Sequence, residues 1–271
     1  MSISANPGVR KALNAAILLA ASILGAFSLL LPFFGQPQGS GAMGMEHAGD
    51  APLVFVALVV LCLGAVAANL DSSAYAHGQQ MNSKVIAVLG VLTAMNAVLR
   101  TIPGPGGFNA VFILPILCGY VYGATFGFLL GSLSLMVSAL IGAGIGPWLP
   151  YQMLSAGWVG MISGWLPHPN NRKAEVMMLA AWGVLSGLMF GAVMNLWFWP
   201  FLQQPGQENL YWRPGLNLLE GLKRYAVFYA VTSLWWDAMR AAGNAILILA
   251  FGGPLIVTLR RFQRRFQFVL E

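Results

Sequence analysis

Residues 118–131 read CGYVYGATFGFLLG, with glycine at 119, 123, 127 and 131. A spacing of four puts glycines on one helix face, where in apolar surroundings another helix can come backbone-close. Glycine is equally the residue with which a chain turns. Length decides between the two. The apolar segment 109–142 would be about 50 Å long as one helix at 1.5 Å per residue, against a hydrocarbon core of ~30 Å. It must break, and the natural site is Gly119 to Ala124. The stretch therefore predicts a hairpin of two short spans. Gly119 and Gly123 bracket the turn, and Gly127 and Gly131 form the packing face of the second helix.

Composition agrees with membrane-spanning segments. The 271 residues are 58% hydrophobic and 8% charged, whereas soluble domains carry about 25% charged residues. The predicted class is an all-α polytopic membrane protein. Working outward from the hairpin, apolar runs give eight expected spans, near 12–34, 52–70, 84–100, 109–121, 123–142, 149–166, 175–198 and 226–258. The polar segment DSSAYAHGQQMNSK (71–84) separates the first two from the rest. The expected division is 1–70 with two N-terminal transmembrane helices, 71–83 a cytoplasmic linker, 84–260 a six-helix core and 261–271 a basic cytoplasmic tail. The first apolar run exceeds 20 residues, beyond a signal-peptide core of about 7–15, and GQPQGSGAMG (35–44) offers no convincing A-x-A site, so the first span reads as retained.

Placing the N-terminus in the cytoplasm puts Arg10, Lys11, Lys84, Arg172, Lys173, Arg260, Arg261, Arg264 and Arg265 inside. Arg100, Arg213, Lys223 and Arg224 then fall outside. The bias favours both termini inside, with the Gly119–Ala124 turn cytoplasmic. The net charge of +6 is thus a matter of topology, not a nucleic-acid footprint.

Catalytic chemistry has little to stand on. Cys62 and Cys118 lie inside apolar runs and read as buried thiols. His47, His77 and His168 have no metal-ligand spacing, so no metal and no cofactor is expected. There is no H-E-x-x-H, no G-x-S-x-G and no phosphate loop; PGPGG (103–107) lacks the following Lys-Ser/Thr. The chain reads as a non-enzyme without an ATPase of its own.

Polar and aromatic residues concentrate instead at the expected outer face. The segments are NAVLRTIPGPGGFN (96–109), GAGIGPWLPYQ (142–152) and MNLWFWPFLQQPGQENLYWRPGLNLLEGLKRY (194–225). Two readings fit. Trp148, Tyr151, Trp197, Trp199, Tyr211 and Trp212 form an interfacial aromatic belt, or they join Gln152, Asn195 and Arg213 in an external pocket with apolar walls and a few placed polar groups. In SLWWDAMRAAGN (233–244), Asp237 and Arg240 share a helix face. They serve function at membrane depth or lock the helix to a neighbour, with Asn244 flooring the pocket or satisfying the pair. Ala87, Gly90, Ala94 and Ala97 form a small-residue face on the 84–100 span, for a partner helix or for the 123–142 span through Gly127 and Gly131.

These residues resemble a family. From Lys84 to about residue 260 the chain is similar to the substrate-binding (S) component of energy-coupling factor transporters, the vitamin-uptake class of ABC transporters. LPILCGYVYGATFGFLLGSLS (114–134) looks like the family's hairpin of helix 2, turn and helix 3. Gly90 and Ala94, flanked by Ala87 and Ala97, resemble its Ala-x-x-x-Ala docking surface, with a glycine where alanine is usual. Ser132-Leu133-Ser134 stands where many members carry an acid, and the two N-terminal spans depart from the six-helix plan. GPWLPYQM (146–153) and the Trp-rich fifth loop look most like the cobalamin or corrinoid branch.

The resemblance implies a six-helix S-component core plus two extra helices, in a bacterial or archaeal cytoplasmic membrane. It implies capture of a vitamin outside, under the loops after core helices 1, 3 and 5. It also implies delivery inward with a transmembrane coupling protein and two cytoplasmic ATPases, docked through Ala87, Gly90, Ala94 and Ala97. Position and side-chain chemistry, not matched family residues, nominate Arg100, Asn109, Trp148, Tyr151, Gln152, Asn195, Trp199, Arg213, Asp237 and Arg240 for the ligand. Arg100 and Gln152 would bond polar edges such as amides; Trp199 and Tyr151 would wall the cavity. A self-sufficient secondary transporter and a ligand-free membrane scaffold are the other function classes the residues leave open.

Overall fold

The computed structural model describes residues 7–34, 49–70, 82–202, 206–207 and 209–266. Most of the expected linker, the GQPQGSGAMG segment and the last five residues of the expected tail lie outside the described residues, as do His47 and His77. The described residues are all helical or irregular, with no strand among them. In chain order the helices are α1 (Pro7–Leu30), α2 (Ala51–Leu70), α3 (Asn82–Thr101), α4 (Ile113–Tyr122), α5 (Ala124–Ser138), α6 (Leu149–Ser163), α7 (Arg172–Phe198), α8 (Leu218–Thr232), α9 (Leu234–Leu247) and α10 (Gly253–Phe266). Among the described residues, five helical stretches are long and apolar enough to cross a bilayer: Ala12–Phe33, Lys84–Thr101, Ala124–Ala143, Arg172–Phe201 and Leu234–Arg265. Ala51–Ala67 and Ile113–Tyr122 are shorter apolar helices. The protein is a multi-pass membrane protein.

The 118–131 stretch does break, at one residue. α4 ends at Tyr122 and α5 starts at Ala124, with Gly123 between them at φ 97°, a conformation that disfavours a side chain. Gly119 is not part of the turn. It sits inside α4, where a Cβ would stand 3.0 Å from the Gly160 carbonyl carbon and 3.3 Å from the Gly127 Cα. A Cβ on Gly127 would lie 2.5 Å from the same Gly160 carbon, and one on Gly131 would lie 2.6 Å from the Ala156 carbonyl carbon. The helix received by this glycine face is therefore α6, not α3 as the sequence left open. Every residue of α4 is buried, which makes this short helix the centre of the bundle.

A second glycine seam joins α7 to α9. A Cβ at Gly183 would meet Asn244 and Ile248, one at Gly187 would meet the Ala241 main chain, and one at Gly191 would collide with the Asp237 carboxylate. These glycines, also four apart, escaped the reading of the sequence.

The last expected span, 226–258, is wrong at both ends. α8 stops at Thr232, Ser233 leaves helical geometry (φ −132°, ψ −22°), and a new helix starts at Leu234. It continues through α9, a π-helical turn at Ile248–Gly252 and α10 to Phe266, so residues 261–266 of the expected tail are helical. No Pro or Gly marks residues 226–236; at the break Thr232 Oγ1 donates to the Phe228 carbonyl at 2.7 Å and Ser233 Oγ donates to Asn195 Oδ1 of α7 at 2.8 Å. The segment 194–225 is correspondingly less loop than expected, being occupied by the end of α7, a 3-10 turn at Trp199–Phe201 and the start of α8.

α1 and α2 lie against α5 and α6. Gly25 faces the Leu154 side chain, Trp158 Nε1 donates to Ser22 Oγ at 2.9 Å, and Leu18, Ala21, Leu58, Cys62 and Ala65 are buried in the main core. At the end of the bundle where α4 meets α5, Tyr120 donates to Glu175 Oε1 at 2.8 Å and stacks on His168 at 4.2 Å between ring centroids. Arg260 pairs with Glu175, and Gln263 Nε2 donates to the Val121 carbonyl at 2.9 Å. The basic residues around α7's start and α10 thus collect at one end.

Candidate functional site

At the opposite end, α3 is tied to α5 by two polar rungs one helical turn apart. Asn96 Nδ2 donates to Ser134 Oγ at 2.8 Å and to the Val111 carbonyl at 2.9 Å. Arg100 Nη1 donates to Ser138 Oγ at 2.7 Å and to the Leu135 carbonyl at 3.4 Å, and Nη2 donates to Gln152 Oε1 at 2.6 Å. Positions 96 and 100, like 134 and 138, are four apart, so each pair stacks on one helix face. Gln152 enters from the first turn of α6, which Pro150 helps to start. Arg100 and Gln152, both expected at a site, are brought together.

Tyr151, the neighbour of Gln152, points elsewhere. It is fully buried, and its hydroxyl bonds Ser28 Oγ at 2.6 Å and Asp50 Oδ2 at 2.8 Å. Ser28 also donates to Asp50 Oδ2 at 2.5 Å. Its ring lies 6.3 Å from that of Trp197, with Trp148 packed against the same small cluster. Tyr151 therefore fastens α6 to the N-terminal helices. Neither Ser28 nor Asp50 was singled out from the sequence. Asp50 was visible only as one of eight acids, and its partner is 101 positions away.

Asn195, Asp237 and Arg240 gather on the α7–α9 seam. Arg240 forms an ion pair with Asp237, donates to the Gly187 carbonyl at 3.4 Å and lies over the Phe190 ring at 5.2 Å. Ser233 donates to Asn195 Oδ1 at 2.8 Å, and the Tyr229 hydroxyl sits beside Asp237. The Asn195 amide nitrogen is buried with no hydrogen-bond partner among the described residues. Asn244 does not join the ion pair: its Nδ2 donates to the Gly183 carbonyl at 3.0 Å, so it satisfies α7 main chain.

Trp199 belongs to an aromatic cluster over this end. It is buried, donates to the Leu210 carbonyl at 3.0 Å, and packs against Phe33 at 5.9 Å and Tyr225 at 5.1 Å. Trp212 meets Phe33 edge-on at 5.5 Å, and Tyr211 lies 6.0 Å from Phe228. Arg213 stands apart and exposed. The loop after α3 lies over α9: Phe108 covers Gly243, a Cβ on Gly106 would stand 2.7 Å from Met239, and one on Gly107 would stand 3.5 Å from Trp236. Asn109, which follows Phe108, is half-buried. A groove of about 580 Å³ lined by Leu18, Ser22, Gly123, Thr125 and Trp165 lies at the other end, and none of these site residues lines it.

The small-residue face of α3 divides. Ala87, Gly90 and Ala94 are exposed, and no heavy atom lies within 4 Å of where a Cβ on Gly90 would stand. Ala97 is fully buried. It lies seven residues beyond Gly90 and about 20° from it around the helix, so the same face is open at Gly90 and covered at Ala97.

These arrangements describe a helical membrane protein with separate polar clusters toward the two ends of a tightly packed bundle. The model of the family described as "ECF transporter, substrate-specific component" matches residues 84–262, about two thirds of the chain, and the chain belongs to that family. No curated protein and no solved structure matches it. Membership makes the protein a transport subunit rather than a catalytic enzyme, with a small-molecule substrate and, in general, a coupling protein and ATPases as partners.

Proposed function

We propose that this chain captures a vitamin, with cobalamin or a related corrinoid as the best reading, at the end carrying Arg100, Gln152, Trp199 and Asp237. That end faces outward, both termini are cytoplasmic, and residues 84–260 form the six-helix binding core that α1 and α2 brace. The loaded chain then docks on a transmembrane coupling protein with two ATPases through Ala87, Gly90 and Ala94, and the substrate is released inward.

The observation that carries this reading is convergence. Polar groups of α3 and α6, a second polar group of α7 and α9, the loop 103–109 and an aromatic cluster lie toward one end, whereas Glu175 pairs with Arg260 toward the other. The test is to purify the protein gently, denature it and identify the released small molecule by mass spectrometry. A corrinoid supports the whole reading, and another vitamin corrects the branch. Failure of every vitamin to bind, together with no co-purifying coupling protein or ATPase, overturns it.

A further inference from the structure

Four half-buried arginines are described: Arg100, Arg224, Arg240 and Arg260. Three of them meet a carboxylate, Glu220, Asp237 and Glu175 respectively. Among the described residues Arg100 meets only neutral acceptors: a serine hydroxyl, a main-chain carbonyl and the Gln152 carboxamide. A guanidinium has five N–H donors, and these bonds use three. A charge taken partly out of water is costly without a counter-charge. At each of the other three sites a carboxylate stands against the half-buried arginine, and at Arg100 none does among the described residues.

We infer that Arg100 is held with its counter-ion position open for an anionic group, a carboxylate or a phosphate diester, on the transported molecule. The inference rests on the substrate-capture reading above and narrows its ligand class. Ser138 and Gln152 hold the guanidinium in place from two helices, α5 and α6, so the fork is pre-set before a ligand arrives. Pre-setting matters because a planar fork offers an anion two parallel bonds, which an amide or hydroxyl ligand does not exploit. The Gln152 carboxamide contributes an acceptor without adding the negative charge that would fill the site.

The test uses the full chain in detergent and follows tryptophan quenching with matched vitamin pairs. The carboxylate arm is biotin with biotinamide, pantothenate with panthenol, and nicotinate with nicotinamide. The phosphate arm is cyanocobalamin with dicyanocobinamide. The expected result is binding of one anionic member at least about 30-fold tighter than its neutral counterpart, with Arg100→Gln erasing the preference. Gln152→Glu places a carboxylate in the shape of the amide beside the guanidinium and fills the position from within. It should weaken the anionic ligand by a similar factor without disturbing the fold, and so answers for Arg100→Gln should that variant not fold.

An arginine that merely braces α3 against α5 gives a different outcome. Arg100→Gln then lowers thermal stability, both variants leave affinity unchanged, and the inference falls while the vitamin reading stands. Equal binding of a pair's neutral member overturns it in the same way. If no member of the panel binds, the inference falls, and the vitamin reading is decided separately by the released ligand and the co-purifying partners.

Discussion

The main chains of Gly127 in α5 and Gly160 in α6 meet with no side chain between them; a Cβ added to Gly160 would stand 2.9 Å from the Gly127 Cα. Gly119 from α4 reaches the same point. Gly127→Ala or Gly160→Ala should therefore force backbones apart and cost about 1–3 kcal/mol. The measurement is thermal unfolding of the purified protein in detergent, where both variants should melt several degrees below wild type. An unchanged melting temperature would mean that the seam relaxes freely.

Gly90 provides the contrast, because it has the same residue type and open space around it. Gly90→Leu and Ala94→Leu should leave thermal stability and ligand binding of the isolated chain close to wild type. Both should abolish capture of the coupling protein and ATPases in a pull-down, and with it uptake. Normal assembly and transport by both variants would remove this face from the docking surface.

Tyr151 is the fastener between the core and the N-terminal helices. Tyr151→Phe keeps the ring and removes the bonds to Ser28 and Asp50, leaving buried groups short of a partner at a cost of about 1–3 kcal/mol. Asp50→Ala should cost a similar amount, and the double variant should cost much less than the sum, since both changes break one cluster. A double-mutant cycle in thermal stability reads this directly. Additive costs would show that the two residues act separately.

The Glu175–Arg260 pair joins α7 to α10, with Glu175 buried and accepting also from Tyr120. Glu175→Leu strands Arg260 and leaves the Tyr120 hydroxyl only the Pro167 carbonyl at 3.4 Å. The guanidinium is about one-third exposed, which tempers the loss to about 1–3 kcal/mol. Limited proteolysis after Arg261, Arg264 or Arg265 should quicken as α10 loosens from α7, whereas an unaltered cleavage rate would show that α10 is held by other contacts.

Some of this was legible in the sequence. The break inside 118–131 was expected from length, and the structure puts it at Gly123; length does not force a break by itself, since the helical run Leu234–Arg265 continues for 32 residues. Gly119 could not be assigned by the same means, since spacing fixes a face but not the helix it meets. Arg100 and Gln152 could be nominated by their place at span ends, but nothing local says that they bond each other. Asp50, Ser28 and Tyr151 come from three distant segments, so their meeting is a tertiary fact. The stop at Ser233 lies within an unbroken apolar run, where hydropathy has no contrast to offer. The glycines at 183, 187 and 191 were visible as a spacing; only the structure supplies Asp237 and Asn244 as what they receive.

The glycine seam has a mechanical consequence. Helices that meet through side chains can slide by changing rotamers, trading one set of contacts for another of similar energy. Where α4, α5 and α6 meet at Gly119, Gly127, Gly131, Ala156 and Gly160, main chain abuts main chain and there is nothing to re-trade. These three helices are a keystone, moving together or not at all. Whatever bending the protein does must be taken up outside this seam.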